Sequence, residues 1–125
     1  MTIVVTGVAG FIGMHVAEGL LARGDSVLGI DSVNDYYSVA LKEARLARMA
    51  DKPGFRLVRA DIADRDAIQA LTPAVADATG LIHLAAQAGV RYSLENPYAY
   101  IDANVMGHTV MLEAARRMPK LAHVV

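Results

Sequence analysis

Short β-branched runs alternate along this chain with longer segments in which apolar residues return every three or four positions. The first run, TIVVT at residues 2–6, is apolar almost without interruption, the pattern of a strand covered on both faces. Residues 11–24, FIGMHVAEGLLARG, place Ile12, Val16, Leu20 and Leu21 at helical spacing, and Gly24 marks a stop. SVLGID (26–31) predicts a second strand. A polar NDYYS loop follows, and then a helix over 39–50 with Ser38 as its N-cap. FRLVRAD (55–61) predicts a third strand, Asp64 caps a helix over 65–71, and GLIHLAA (80–86) predicts a fourth strand. Asn96-Pro97 opens the longest helix, to about residue 118, with Asn as cap and Pro at the first helical position. Ile101, Val105, Leu112 and Ala115 supply its apolar stripe, and LAHVV (121–125) starts a fifth strand.

Strict strand-helix alternation calls for a parallel sheet with helices on both faces. Right-handed crossovers and a glycine-rich turn after the first strand narrow this to an α/β, doubly wound, Rossmann-like parallel sheet. The expected strand order is 3-2-1-4-5, in one domain over 1–125, with the pattern ending after the fifth strand.

The turn after the first strand carries Gly7, Gly10 and Gly13, three residues apart. Gly7 lets the chain turn off the strand, Gly10 removes a side chain where a pyrophosphate would approach, and Gly13 lets the helix pack close. The helix N-terminus offers unpaired N–H groups and a positive dipole end to an anion. Such a triplet is weak by itself, and a merely structural turn would share it; the strand before and the helix after favour phosphate binding. No GK[ST] follows, which excludes a nucleoside-triphosphate P-loop. Asp31 ends the second strand, where a carboxylate accepts bonds from adenosine ribose hydroxyls and repels a 2′-phosphate. No Arg or Lys lies within 32–39, so NAD is expected over NADP. Asp61 stands in the analogous place on the third strand and with Ile62 could touch the adenine; a turn-capping Asp is an equal reading.

Composition removes several alternatives. Net charge is −1 with no block of like charges, so neither a nucleic-acid groove nor a polybasic membrane patch is expected. There is no cysteine, no run long enough to span a bilayer and no secretory pattern, and a cytoplasmic protein is expected. The four histidines form no ligand-spaced pair, so no metal site is expected; His83, in an apolar strand, reads as a hydrogen-bonded core residue. The methionines read as core gap-fillers, and Lys42, Glu43, Arg45 and Arg48 as a solvated helix face. Apolar residues make up 54 %, hard for a small domain to hide alone. That suggests a homo-oligomer, through the fifth strand as an exposed edge or through the 97–118 helix.

Beyond spacing, VTGVAGFIGMHVAEGLLARGDSVLGIDSVNDYYSVALKEARL, then DIAD and IHLAAQAGVRYSLENPYAYIDANVMG, resemble the extended short-chain dehydrogenase/reductase family. Within it they are most similar to the nucleotide-sugar 4-epimerases of the UDP-glucuronate type. The resemblance implies a tightly held NAD that takes hydride from C4 of the sugar and returns it to the other face. By matching position it implies Gly7, Gly10, Phe11, Ile12 and Gly13 at the pyrophosphate, Asp31, Ser32 and Asn34 at the ribose, and Asp61 and Ile62 at the adenine. Leu84, Ala85, Ala86 and Gln87 would line the nicotinamide side, with Asn104 in support, and Arg91 and Ser93 would begin the sugar side. Ser32 departs from the family's usual Asn.

The family's acid/base is a Tyr-x-x-x-Lys pair beside a Ser/Thr. Four residues beyond Tyr36, Tyr37, Tyr92, Tyr98 and Tyr100 stand Ala40, Leu41, Asn96, Asp102 and Asn104, so no such pair is present and no catalytic residue is assigned. The expectation is the NAD-binding portion of a nucleotide-sugar 4-epimerase, inactive by itself, whose parent acts on a nucleotide sugar. A non-catalytic dinucleotide-binding module, a ligand-free self-associating unit, and a dehydratase or reductase of the same family stay open.

Overall fold

The computed structural model describes all of residues 1–125. Five strands form one parallel sheet in the order β3-β2-β1-β4-β5, as the alternation predicts. They are β1 (Thr2–Thr6), β2 (Ser26–Asp31), β3 (Phe55–Arg59), β4 (Ala78–His83) and β5 (His123–Val124). The helices are α1 (Phe11–Ala22), α2 (Val39–Ala47), α3 (Arg65–Gln69), α4 (Tyr92–Glu95), α5 (Pro97–Tyr100) and α6 (His108–Ala115); a π-helical segment, Ile101–Gly107, joins the last two.

β1 lies at the centre because its two faces feed two cores. Ile3 and Val5 join Val8, Met14, Ala17, Val27, Leu46 and Met49 beneath α1 and α2. Val4 joins Leu28, Ile30, Ile62, Ile68, Leu81, Val110, Met111 and Met118 beneath α3 and α6. Side chains alternate across a strand, so an unbroken apolar run is what two cores require. β1 pairs with β2 on one side and β4 on the other, with Thr6 opposite both Ile30 and His83. Chain order reverses at β1, so the loops leaving β1 and β4 part there and open a crevice at the strands' C-terminal ends.

Two caps are as expected: Ser38 Oγ accepts from Leu41 N–H (3.2 Å), and Asp64 Oδ1 from Ala67 N–H (3.0 Å). The third is not. Asn96 caps nothing with its side chain, which instead donates to Tyr92 Oη (3.2 Å) within the extra turn α4. The long helix is also not continuous, and its predicted stripe faces outward: Ile101, Val105 and Leu112 are exposed and Ala115 is half-buried. The face on the core is Gly107, Val110, Met111 and Met118. Close approach at Gly107 sets that face, since a Cβ there would lie 2.6 Å from Ile62 Cδ1.

α1 shows a similar rotation. Gly13, Met14 and Ala17 are buried, Val16, Leu20 and Leu21 are half-buried, and Ile12 is exposed. Small residues seat this helix so close to the sheet that the larger ones fall to its flanks. The fourth strand starts at Ala78 and ends at His83, because residues 84–87 leave the ladder for side-chain partners. The supposedly solvated face of α2 is not solvated throughout. Lys42 is 6 % exposed and Arg45 half-buried, while Arg48 and Glu43 pair with Glu18 and Arg59. No helix is long and apolar enough to cross a membrane.

Candidate dinucleotide site

The glycine turn is built by backbone contact. Gly7 has φ +71°, a conformation that an L side chain rarely adopts, and a Cβ there would sit 2.9 Å from Ala85 N. Its N–H continues the sheet by donating to Ile30 O (2.8 Å), and its carbonyl accepts from Gly10 N–H (3.0 Å). α1 then starts with Met14 N–H on Gly10 O (3.0 Å). The N–H groups of Phe11, Ile12 and Gly13 have no backbone acceptor, and no acid lies in the first turn to cap them.

Asp31 closes the opposite wall. Its Oδ2 accepts from Ala9 N–H (2.9 Å) and its Oδ1 from Val33 N–H (2.8 Å). Each oxygen keeps a lone pair for a further donor. The Val33 bond holds that residue at φ +51°, an outlier for a β-branched side chain, so the loop after β2 is strained into shape around the carboxylate.

The floor is organised by Thr6, fully buried at the end of β1. Its Oγ1 accepts from Leu84 N–H and Ala85 N–H (both 3.0 Å) and lies 2.7 Å from His83 Nδ1. With both lone pairs used, the hydroxyl hydrogen goes to Nδ1, and His83 carries its own proton on Nε2. Burial, with His108 beside it, holds His83 below the ordinary imidazole pKa and so neutral. Asn104, on the π-helical segment, clamps the next stretch: Oδ1 accepts from Gln87 N–H (2.8 Å) and Nδ2 donates to Gln87 O (3.0 Å). A π-turn in this position suits a site rather than a packing surface.

These walls enclose a cavity of about 320 Å³. Of the residues singled out in the sequence, Gly7, Gly10, Asp31, Ser32, Asn34, Asp61, Ile62, Leu84, Ala85, Ala86 and Gln87 line it. Asp61 also accepts from Ala63 N–H (2.9 Å), so the turn-capping geometry is present at the same residue. Gly13 sits behind the wall against Gly7, Phe11 and Ile12 point to solvent, and Asn104 acts through Gln87. Arg91 and Ser93 lie outside it, on the turn leading into and through α4, where Ser93 Oγ donates to Val90 O.

The sequence reading missed Tyr36, Tyr37, Lys42, Ala60, Ala99, Asp102 and Ala103, which also line the cavity. For Lys42 a signal existed: Lys42, Leu46 and Met49 stand at i, i+4 and i+7, one helical face. Two further hollows, of about 240 Å³ beside His83 and His108 and about 500 Å³ between α3 and α6, include neither Asp31 nor the glycines.

A doubly wound sheet with a glycine turn and a strand-end acid at its switch point defines the Rossmann-like class. Residues 4–124 match the family described as GDP-mannose 4,6 dehydratase, and the chain belongs to that family, in the short-chain dehydrogenase/reductase group that includes the nucleotide-sugar epimerases. It is 50 % identical over 116 residues to a probable UDP-glucuronate 4-epimerase of Rhizobium meliloti, covering 93 % of this chain and 34 % of that protein. It is 45 % identical over 116 residues to UDP-glucuronate 4-epimerase 4 of Arabidopsis thaliana, covering 93 % and 26 %. The chain thus spans between a quarter and about a third of the length of these curated relatives. Among solved structures, the Bacillus cereus UDP-glucuronic acid 4-epimerase, a Y149F mutant in complex with UDP-4-deoxy-4-fluoro-glucuronic acid and NAD, superposes with a TM-score of 0.87 at 33 % identity, covering 99 % of this chain and 38 % of that one. DesIV, a dTDP-glucose 4,6-dehydratase from Streptomyces venezuelae with NAD bound, gives 0.84 at 29 % identity, covering 99 % and 38 %. The chain corresponds to the N-terminal NAD-binding region of UDP-glucuronate 4-epimerase-like enzymes.

Proposed function

We propose that this chain holds NAD as the cofactor-binding part of a nucleotide-sugar 4-epimerase of the UDP-glucuronate type. The observation that carries this is one cavity lined by both Gly7 and Gly10 of the turn and the Asp31 carboxylate, with three acceptorless N–H groups at the start of α1 following directly on Gly10. The group fits the residues present. A pyrophosphate needs bare backbone, which Gly7 and Gly10 provide, and N–H donors, which Phe11, Ile12 and Gly13 keep free; a ribose diol needs an acceptor with lone pairs to spare, which Asp31 provides. Asp61 and Ile62 flank the adenine end, and Leu84 to Gln87, fixed by Thr6 and Asn104, flank the nicotinamide end. When bound, NAD supplies the hydride acceptor for C4 of the sugar. This chain's own residues bind and orient it, and Arg91 and Ser93 are assigned to the sugar side. The similarity to UDP-glucuronate 4-epimerases of Rhizobium meliloti and Arabidopsis thaliana supports the choice of sugar.

NAD rather than NADP is assigned because a 2′-phosphate would meet Asp31. The cation missing from residues 32–39 does arrive from α2, as Lys42, but two of its three protons are already committed to Asn34. Titration calorimetry of the chain with NAD and NADP tests the reading. Saturable NAD binding, at least about tenfold tighter than NADP and weakened about tenfold by Asp31→Asn, is expected. Absence of NAD binding would overturn it.

A further inference from the structure

Lys42 presents a problem that packing does not solve. Its side chain is buried at 6 % exposure, yet no carboxylate lies within ion-pair distance of its ammonium. Nζ donates to Asn34 O (2.7 Å) and Asn34 Oδ1 (2.8 Å), both neutral oxygens, and stands 4.3 Å above the Tyr37 ring. Burial pushes its pKa down, with the Asp31 and Asp35 carboxylates pulling the other way and Arg45 adding to the fall. A lysine on this core-facing side of α2, flanked in the same stripe by Leu46 and Met49, would be replaced by an apolar residue if packing were its only task. An ammonium has three donors, and only two have partners. Lys42 lines the same cavity as Asp31 and Asn34.

The geometry points to Lys42 as a cofactor-positioning residue that ties the 32–37 loop down through Asn34 and gives its third N–H to a hydroxyl of the adenosine ribose, opposite the Asp31 carboxylate. This rests on the NAD-binding reading. It divides the diol between an acceptor wall and a donor wall: Asp31 takes hydrogens from the hydroxyls, and Lys42 gives one to a hydroxyl oxygen. It also explains the left-handed Val33, which lies between Asp31 and Asn34 and so between the two anchored ends of the turn.

The test uses ADP, 2′-deoxy-ADP and 3′-deoxy-ADP titrated calorimetrically into the unsubstituted chain and into Lys42→Met. Loss of the hydroxyl that Lys42 holds is expected to weaken ADP binding about tenfold in the unsubstituted chain. In Lys42→Met, ADP binds about tenfold more weakly, and the same deoxy probe adds about threefold rather than tenfold, since the Lys42 partner is gone and only the bond to Asp31 is left to lose. A purely structural latch would weaken all three probes equally, and that result would overturn the proposal. So would equal affinity of all three for the unsubstituted chain, or unchanged ADP binding by Lys42→Met. If Lys42→Met does not fold, Lys42→Gln carries the same comparison. NAD binding by the unsubstituted chain with no coupling to Lys42 sinks only this inference; no nucleotide binding at all sinks the parent reading with it.

Discussion

Gly13→Ala should destabilise the protein, although the same change elsewhere on the same helix should stabilise it. A Cβ built on Gly13 would lie 2.0 Å from Gly7 O and 2.7 Å from Gly7 C. Both are backbone atoms, and Gly7 is held by its bonds to Ile30 O and Gly10 N–H. Real Cβ contacts essentially never fall below 3.0 Å, so α1 must back away by at least about 1 Å. Overpacking against rigid neighbours costs about 3 kcal/mol, and the helix-propensity gain of Gly→Ala returns about 1 kcal/mol, leaving a net loss of about 2 kcal/mol. Gly19, also on α1, has open space where a Cβ would stand, with nothing within 4 Å, so Gly19→Ala should gain about 1 kcal/mol. The two variants should therefore differ by about 3 kcal/mol, or about 2 M in urea midpoint at a slope of about 1.5 kcal/mol/M. Urea unfolding followed by circular dichroism reads this directly. A Gly13→Ala protein as stable as the parent would refute the claim that α1 is seated on the Gly7 carbonyl. A merely destabilised one should also bind ADP more weakly, because the N–H groups of Phe11 and Ile12 move with the helix.

Two other perturbations probe the floor of the site. Thr6→Val keeps the shape but strips Ala85 N–H of its acceptor, while Leu84 N–H retains a longer bond to Thr6 O (3.3 Å); a loss of about 2 kcal/mol in chemical denaturation is expected, and a neutral result would mean the hydroxyl organises nothing. His83 has a lowered pKa in the folded state, so the unfolded chain binds its proton first. Its contribution to stability is complete above the ordinary imidazole value of about 6.5 and drains away as pH falls from there through the lowered folded value. Urea midpoints compared between about pH 7.5 and about pH 5.5, either side of that imidazole value, should fall less for His83→Gln than for the parent, and equal falls would exclude His83 as the source.

The fold was legible because its strongest signals are local. A double-sided apolar run, an amphipathic period and a glycine turn each reflect a constraint that acts over a few residues, and together they point to the doubly wound sheet whose 3-2-1-4-5 order the structure shows. Ser38 and Asp64 were readable as caps for the same reason: each bonds an N–H three residues on. Asn96 had the right residue type but a better partner in Tyr92, which no propensity reveals. The rotation of the 97–118 helix escaped the sequence because its apolar residues are too many for periodicity to choose between faces, and the choice fell to the contact of Gly107 with Ile62, far back along the chain.

What the sequence by itself determined is therefore the alternation, the sheet order, the glycine turn and the acid that faces it, all features that neighbouring residues enforce on one another. What only the tertiary structure decided is how those parts meet: Thr6 bonding the loop 78 and 79 residues further on, Asn104 clamping Gln87, and a lysine from α2 sinking onto Asn34 in the cavity that Asp31 lines. The physical reason is that a hydrogen bond's geometry is set by where two backbones come to rest. In a doubly wound sheet the residues that share a crevice are brought there by crossovers, not by proximity in the chain.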